Sequence, residues 1–572
     1  AAARGPRAGR LGRLRRLLAL VSVALPSSAL PCLEALGGEV SATSAPPGVA
    51  RPSGPSPSSA ANAASAAVSR PATLLVLPLR ASPADLGEAL SLRILDTLRD
   101  IGDASLVHPK MRARVEARYG TRLASSADIR RQRLARILGA SHVVEGALDR
   151  GRRRLQLRIR CEGQVTHTAS VAARDLDGVL RDLRPAVARL YRRADLRRGA
   201  GPPRRGVDAT KPRSAEALIA RAQCHRALMA QPLGIGPPVA VDEAALRAAA
   251  ARCREALALD DLFAGARADL ALAHALLGER EAAEDILIGM RDIPDFHPTH
   301  WLARFWIVSR YYDVDLGLEI LREAISRHPG FMLGRGYLGE ALLALGRPSE
   351  AREVFRAYLE RSPGQSYVMA RIGRALAAEG AFSPAIDWTE RALAETPEDP
   401  ELLYEKGRVL RAGGFPEAAI SLLEHVTRQA RTRPFIHLEL GRALMASGDL
   451  GRADAALSRA VRAASGPRGW RTRNEARYAR ARLAMLGGAP GRAVELIRRA
   501  LREGYVDRDA LSRSPLKRSS VRRDFKALRE VKARPGMPPE LITPLGRVTR
   551  AGTLELRNRF ERRRDRGVLE RL

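Results

Sequence analysis

The sequence predicts an α+β protein, in which a small mixed α/β domain precedes an all-α solenoid of helical hairpins. One observation is a column of glycines, Gly339, Gly373, Gly407 and Gly441, at a constant step of 34 residues. Leucine and alanine columns keep the same step. A second observation is a series of short apolar runs upstream, within residues 73–172, which alternate with polar residues as β-strands do.

A period of 34 residues indicates paired helices, because neither helix buries its apolar face until the next copy stacks on it. In the unit from Leu333 to Pro363, Gly339 and Ala351 are small where the two helix backbones approach, and Phe355 fills the remaining space. The alanine column contains Ala249, Ala283, Ala351, Ala385, Ala419 and Ala453, with Gly317 in the position between Ala283 and Ala351. An eighth unit follows at Ala493 after about six extra residues around 465–471.

The pattern Leu-Gly-x-x-Leu, followed by alanine, an apolar residue and a closing proline, resembles tetratricopeptide repeats. The resemblance covers residues 214–504 as about eight repeats. It implies a solenoid whose concave groove binds a protein or peptide. Ala271 and Phe305 replace the column glycine in earlier units, so we expect a different groove shape there.

Residues 71–196 are predicted to form the α/β domain. Strands are expected at 73–79, 105–108, 141–148, 155–161 and 165–172, with helices at 83–101, 128–138 and 176–193. The opening Leu75-Val76-Leu77-Pro78-Leu79 and the run from Leu138 to Gly146 resemble the amino-terminal domain of TolB. Arg80-Ala81-Ser82 replaces that family's polar loop, so the resemblance implies no ligand role for this loop.

The amino-terminal segment carries the pattern of an export signal. Six arginines lie within the first 16 residues and precede the apolar run from Leu17 to Leu25. We therefore assign residues 1–35 to a signal peptide or membrane anchor. A periplasmic or cell-envelope location follows from either, with membrane association in the second case. A basic leader without a targeting role stays open as an alternative.

The remaining segments connect or close the two folded parts. Residues 36–70 are dominated by Ala, Ser and Pro and are predicted to be a linker. A second linker is assigned to residues 197–213. At the other end, residues 505–532 are expected to cap the last repeat, and residues 533–572 form a basic tail.

The net charge of +34 does not by itself predict a nucleic-acid partner. Lys and Arg together number 97 against 63 acids, and only six of the cations are Lys. This bias is typical of a GC-rich genome. Basic residues spread along exposed helix faces are usually solvated, so nucleic-acid binding is not expected.

Motifs for catalysis and cofactor binding are not found, so the sequence predicts neither an enzyme nor a cofactor. His297 and His300 have no further ligand in sequence reach, and we predict no metal site. Cys224 and Cys253 would face each other in the first repeat. The sequence favours small core residues over a disulfide there, although export would permit the bond.

The candidate site is the groove. The residues that follow the column glycines are Glu340, Arg374, Arg408 and Arg442. The aromatic residues expected on the same face are Trp306, Tyr367, Tyr404 and Phe435. Three arginines one repeat apart would suit carboxylates of an acidic peptide, whereas the competing interpretation is that they are merely solvated.

The sequence thus predicts a non-enzymatic scaffold that binds a protein or peptide partner. The alternative is a signalling protein in which the α/β domain senses a ligand and the repeats relay it. A kinase, cyclase or DNA-binding domain ahead of Ala1 would favour this alternative. The sequence does not name the partner or predict the oligomeric state.

Overall fold

The computed structural model describes residues 72–101, 105–109, 111–112, 115–116, 127–149, 151, 154–161, 164–194, 196, 214–231, 242–290, 298–394, 396–429, 434–465 and 469–503. The predicted leader, both linkers, the capping segment and the basic tail lie outside these residues. Within them, no helix combines the length and the apolar composition that crossing a bilayer requires.

The α/β domain is built on a sheet of five strands with the order β2-β1-β3-β4-β5. Strand β1 is parallel to β2 and β3, and β3, β4 and β5 are antiparallel. The strands are β1 Thr73–Val76, β2 Ser105–Leu106, β3 His142–Asp149, β4 Arg154–Cys161 and β5 Gln164–Ala172. Strand β1 ends earlier than predicted because Pro78 cannot donate a ladder hydrogen bond.

Three described helices cover the sheet. They are α1 Ala84–Ile101, α2 Ala127–Ile137 and α3 Leu176–Arg193. Leu90 of α1 and Leu183 of α3 belong to one apolar core with β4 and β5. Helix α2 contributes Leu134 to a smaller core on Leu75 and Val143.

The array consists, in its described part, of eight helical hairpins, as the 34-residue step predicts. We number them 1 to 8, each from a first and a second helix. The helices are α4 Ala215–Ala230, α5 Glu243–Leu259, α6 Ala264–Leu277, α7 Arg280–Gly289, α8 Pro298–Tyr311, α9 Val314–Arg327, α10 Met332–Ala344, α11 Pro348–Arg361, α12 Ser366–Ala378, α13 Phe382–Leu393, α14 Pro400–Ala412, α15 Pro416–Gln429, α16 Pro434–Ser447, α17 Leu450–Ala463, α18 Trp470–Leu486 and α19 Pro490–Arg502.

The column glycines lie where the two helices of a hairpin touch. A Cβ on Gly339 would stand 2.5 Å from the ring of Phe355, and one on Gly441 would stand 2.5 Å from Cγ of Leu457. The turn between the helices uses a second glycine column with positive φ, for example Gly346 at 74° and Gly448 at 87°. Close helix contact and left-handed turns together explain why glycine recurs.

Hairpin 1 carries a disulfide, which the sequence analysis judged the less favoured alternative. Cys224 on α4 and Cys253 on α5 are bonded, with their Cα atoms 5.6 Å apart. Both residues are fully buried. The preference for free core thiols was wrong because the two helices bring these side chains into direct contact.

The α/β domain packs directly against hairpin 1. Arg221 of α4 donates from Nη1 to Asp96 of α1 at 2.6 Å and from Nε to Asp269 of α6 at 3.1 Å. His225 shares Asp269, with 3.2 Å between Nδ1 and Oδ1. Since α1 stacks on α4, the α/β domain covers the start of the solenoid, whose end would otherwise expose core.

A second contact joins the α/β domain to the turn between hairpins 4 and 5. The hydroxyl of Thr73 donates to the carbonyl of Arg361 at 3.0 Å. Gln365 donates from Nε2 to the carbonyl of Leu138. Beside these bonds the backbones of residues 139 and 364 touch, both being glycine.

Candidate protein-binding face

The first helices of neighbouring hairpins form the inner layer of the array. Helix α12 contacts α14, α14 contacts α16, and α16 contacts α18, whereas the second helices of the described part do not contact one another as extensively. A closer spacing on one side gives a solenoid its curvature. The first helices of hairpins 5 to 8 therefore line the concave side.

Charged side chains of both signs run along this layer from hairpin 4 to hairpin 8. We call this set the ion ladder. Its members are Glu340, Arg371, Arg374, Glu405, Arg408, Arg411, Glu439, Arg442 and Glu475. The four residues predicted after the column glycines all belong to it, so the structure does place them on one face.

The predicted arginines are not free cations, however. Arg374 pairs with Glu340 at 2.7 Å, one repeat back. Arg442 pairs with Glu475 at 2.9 Å, one repeat on. An interpretation in which the guanidinium groups of Arg374 and Arg442 are simply solvated does not fit this geometry, because each is held by a carboxylate of a neighbouring hairpin.

In hairpins 6 and 7 the carboxylates lie deeper than the guanidinium groups. The side chains of Glu405 and Glu439 are 6% and 0% exposed, whereas those of Arg408 and Arg442 are 31% and 33% exposed. These two hairpins therefore present their positive groups outward, whereas Glu340 of hairpin 4 is about as exposed as its arginine partners. A ligand that approaches hairpins 6 and 7 meets hydrogen-bond donors first.

The arginines keep the buried carboxylates ionised. Burial alone would raise the pKa of Glu340, but Arg371 and Arg374 overcome it and lower the pKa to about 2. In the same way Arg371 and Arg408 lower the pKa of Glu405 against its burial. Charges that would be costly to bury singly are stabilised because they alternate.

Arg408 is the least engaged arginine of the ladder. Its ion-pair partner is Glu405, with Nη1 and Oε2 3.4 Å apart, and its Nε is buried without a hydrogen-bond acceptor. The guanidinium lies 5.6 Å from the ring centre of Tyr404. That ring in turn meets Phe435 edge to face, with centres 4.9 Å apart. Three predicted residues thus form one cluster of a donor and two aromatic rings.

The other predicted aromatic residues lie apart from this cluster. Tyr367 donates its hydroxyl to Oδ2 of Asp399 at 2.5 Å, which ties hairpin 5 to the start of hairpin 6. Trp306 lies on α8 of hairpin 3 and packs against Phe305, with ring centres 5.7 Å apart. A binding role for either residue stays a prediction.

Sequence reasoning missed five members of the ladder. They are Arg371, Glu405, Arg411, Glu439 and Glu475. A signal for two of them was present, since Glu405 and Glu439 precede Arg408 and Arg442 by three residues and so share a helix face with them. Pairing between repeats is set by the stacking of hairpins, which a single helix pattern does not reveal.

The described residues contain no group of three His, Cys, Asp or Glu side chains that could hold a metal ion. His300 is buried at the start of α8. Its sequence neighbours Asp292, Asp295 and His297 lie outside the described residues.

Models of the tetratricopeptide repeat match this chain in four segments. One matches residues 342–405, and another matches residues 313–366, 404–467 and 438–505. No curated protein matches the chain by sequence. Stacked hairpins with a lined inner face define a helical-repeat solenoid, a class typical of scaffolds for protein–protein interaction. Residues 313–505 of the chain therefore contain tetratricopeptide repeats.

Solved structures match the array. A thermophilic tetratricopeptide-repeat protein of Thermus thermophilus is 22% identical, with 35% of this chain and 99% of that chain covered and a TM-score of 0.29. A tetratricopeptide-repeat protein of Parabacteroides merdae is 11% identical, with coverage of 50% and 94% and a TM-score of 0.34. MamA from residue 41 of Desulfovibrio magneticus is 19% identical, with coverage of 30% and 93% and a TM-score of 0.24.

Proposed function

We propose that the protein is a non-enzymatic scaffold that binds an extended acidic segment of a partner protein along the ion ladder. The observation that carries the proposal is the layering of the ladder in hairpins 6 and 7, with the carboxylates of Glu405 and Glu439 inside and the guanidinium groups of Arg408 and Arg442 outside. Outward donors at a spacing of one repeat complement the carboxylates of an extended chain.

Preorganisation supports the same proposal. Glu340 and Glu405 both contact Arg371, which fixes that guanidinium between hairpins 4 and 6. A side chain already held in place loses little conformational entropy on binding. The ladder is therefore a rigid row of donors rather than a set of mobile arginines.

Arg408 is the centre of the proposed site. Its single ion pair leaves donor capacity for an incoming carboxylate, and Tyr404 and Phe435 offer apolar surface beside it. We expect the preferred segment to carry an acidic residue next to an aromatic or aliphatic one. Arginine and aromatic residues together are common among the side chains that dominate binding energy.

Fluorescence anisotropy with a labelled octaglutamate peptide tests the proposal, with an octaglutamine peptide as the neutral probe. Arg408→Gln should weaken octaglutamate binding about tenfold, the loss of one charge-assisted hydrogen bond. Arg247→Gln is the matched control, because Arg247 on α5 is 65% exposed and pairs within its own helix. Equal losses in both variants, or no binding at all, would contradict the proposal.

The proposed location is the cell envelope. It is supported by the arginine-rich leader with its apolar run and by the Cys224–Cys253 disulfide, since structural disulfides persist in oxidising compartments. Alkylation of the protein isolated from its host under denaturing, non-reducing conditions tests this. Protection of both residues supports export, whereas labelling of both would place the chain in a reducing compartment.

A second candidate function is signal relay, in which the α/β domain senses a ligand. The resemblance to the amino-terminal domain of TolB concerns this domain. The observation that favours relay is its direct contact with the turn between hairpins 4 and 5, next to the ion ladder. A thermal-shift screen of small molecules on the full chain tests it, with a shift abolished by changes in the α/β domain as the supporting result.

A further inference from the structure

The α/β domain contacts the array at two places that differ in size. The first is the junction with hairpin 1, where α1 packs along α4 and the apolar core continues from Leu90 to Leu218 and Phe263. The second is the contact of Thr73, Leu138 and Gly139 with residues 361–365. The α/β domain thus contacts the array at both ends of the segment formed by hairpins 1 to 4.

The second contact consists of few interactions. Among the described residues, two hydrogen bonds join it, from Thr73 to Arg361 and from Gln365 to Leu138. The backbones of Gly139 and Gly364 touch so closely that a Cβ on Gly364 would stand 2.8 Å from Cα of Gly139. Neutral hydrogen bonds contribute little net stability each, so this contact is far weaker than the junction with its buried ion pairs and shared core.

Gln365 makes the contact incomplete as well as small. The residue is 2% exposed, and its Nε2 finds its acceptor in the other domain. Its Oε1 is buried and has no hydrogen-bond partner within the described part of the chain. An unsatisfied buried amide oxygen is costly. If the contact opened, both Nε2 and Oε1 of Gln365 could form hydrogen bonds with water.

The position of Gln365 varies between repeats, with Asp399 one repeat later and an apolar residue one repeat earlier. There the position is occupied by Phe331, which packs into the array core, and the turn reads His328-Pro329-Gly330. At residues 362–365 the apolar residue is replaced by an amide that reaches the α/β domain. The turn therefore contributes to the domain contact instead of to its own hairpin.

We propose that the α/β domain acts as a strap that opens at residues 361–365 while its junction with hairpin 1 stays closed. The closed strap fixes the angle between hairpins 4 and 5. Opening frees hairpins 5 to 8 to move as an arm, since weakly held segments open first in local unfolding.

The strap controls the proposed binding face. The ion ladder crosses the strapped turn, because Glu340 in hairpin 4 pairs with Arg371 and Arg374 in hairpin 5. A change in the angle between these hairpins changes the spacing of the donors. This consequence rests on the proposed function, whereas the strap itself does not.

Hydrogen–deuterium exchange of the full chain in increasing urea tests the strap without any ligand. We expect peptides that cover residues 134–142 and 361–366 to lose protection at lower urea than peptides that cover α1 and α4. Simultaneous loss of protection in all four regions would overturn the proposal, because the two contacts would then open as one unit.

A variant pair isolates the contact. Gly364→Val inserts a side chain against Gly139 and should raise exchange at least tenfold in the two strap peptides while α1 and α4 stay protected. Gly289→Val is the control, since a Cβ there meets nothing within 4 Å, and it should leave exchange in the strap peptides unchanged. No increase in Gly364→Val would overturn the strap. Fluorescence anisotropy with octaglutamate on the same two variants then tests whether strap opening changes binding to the ion ladder. Unchanged octaglutamate binding would contradict this coupling but not the strap, which the exchange measurement tests separately.

Discussion

Arg221 of the array donates from Nη1 to Oδ2 of Asp96 in the α/β domain at 2.6 Å, and both side chains are buried. The same guanidinium satisfies Asp269, and it stacks on the ring of Phe263 at 5.1 Å. One arginine thus neutralises carboxylates from two parts of the chain. The junction is held by a specific charge network as well as by apolar contact.

Replacement of Arg221 by Met should lower the free energy of unfolding by about 3 to 5 kcal/mol, because Asp96 and Asp269 would stay buried with their shared partner removed. Urea unfolding followed by circular dichroism measures this. Arg226→Met is the control. Arg226 pairs with Asp85 and Glu88 but is 52% exposed, so its loss should cost about 1 kcal/mol or less. Equal losses of unfolding free energy in the two variants would contradict the assignment of Arg221 as the buried charge that holds the junction.

Replacement of Gly339 by Ala should destabilise the array by about 1 to 3 kcal/mol, because its Cβ would overlap the ring of Phe355. Gly336→Ala is a control in the same helix, since a Cβ there meets nothing within 4 Å. Alanine should stabilise that position by about 0.5 to 1 kcal/mol. If Phe355→Leu does not relieve the Gly339→Ala loss, the close approach is not its cause.

These glycine positions show how far the sequence alone reaches. The repeating columns predicted a solenoid of helical hairpins and the glycine contacts, because units that pack in the same way place each column at the same kind of contact. The partners of Arg374 and Arg442 were not predicted, since they come from neighbouring hairpins. The disulfide was undervalued because the sequence placed Cys224 and Cys253 opposite each other but gave no distance between their two helices.

Replacement of Arg371 by Gln should destabilise the array by about 3 kcal/mol, because half-buried Glu340 and buried Glu405 would both lose a partner. Arg408→Gln should cost about 1 kcal/mol or less, since Arg408 has one long ion pair. Thermal unfolding of the two variants compares them. A larger loss of stability in Arg408→Gln than in Arg371→Gln would contradict the assignment of Arg408 as the arginine with the weaker ion pairing.

Acid should weaken the array through Glu340. Its pKa in the folded state is about 2, below the ordinary value of 4.5, so its contribution is present above pH 4.5 and is lost as pH falls towards 2. The lowering of this pKa corresponds to about 3 kcal/mol. Urea unfolding at several pH values measures it. Glu340→Gln should flatten the slope of the free energy of unfolding against pH between pH 4.5 and 2. An unchanged slope would contradict the ion pairing of Glu340.

The location of the binding face is the central claim, and hydrogen–deuterium exchange with and without saturating octaglutamate tests it most directly. The account predicts protection in the first helices of hairpins 4 to 8, strongest around residues 400–412 and 434–447, and little change in the second helices. Protection confined to the second helices, or to the α/β domain, would contradict it.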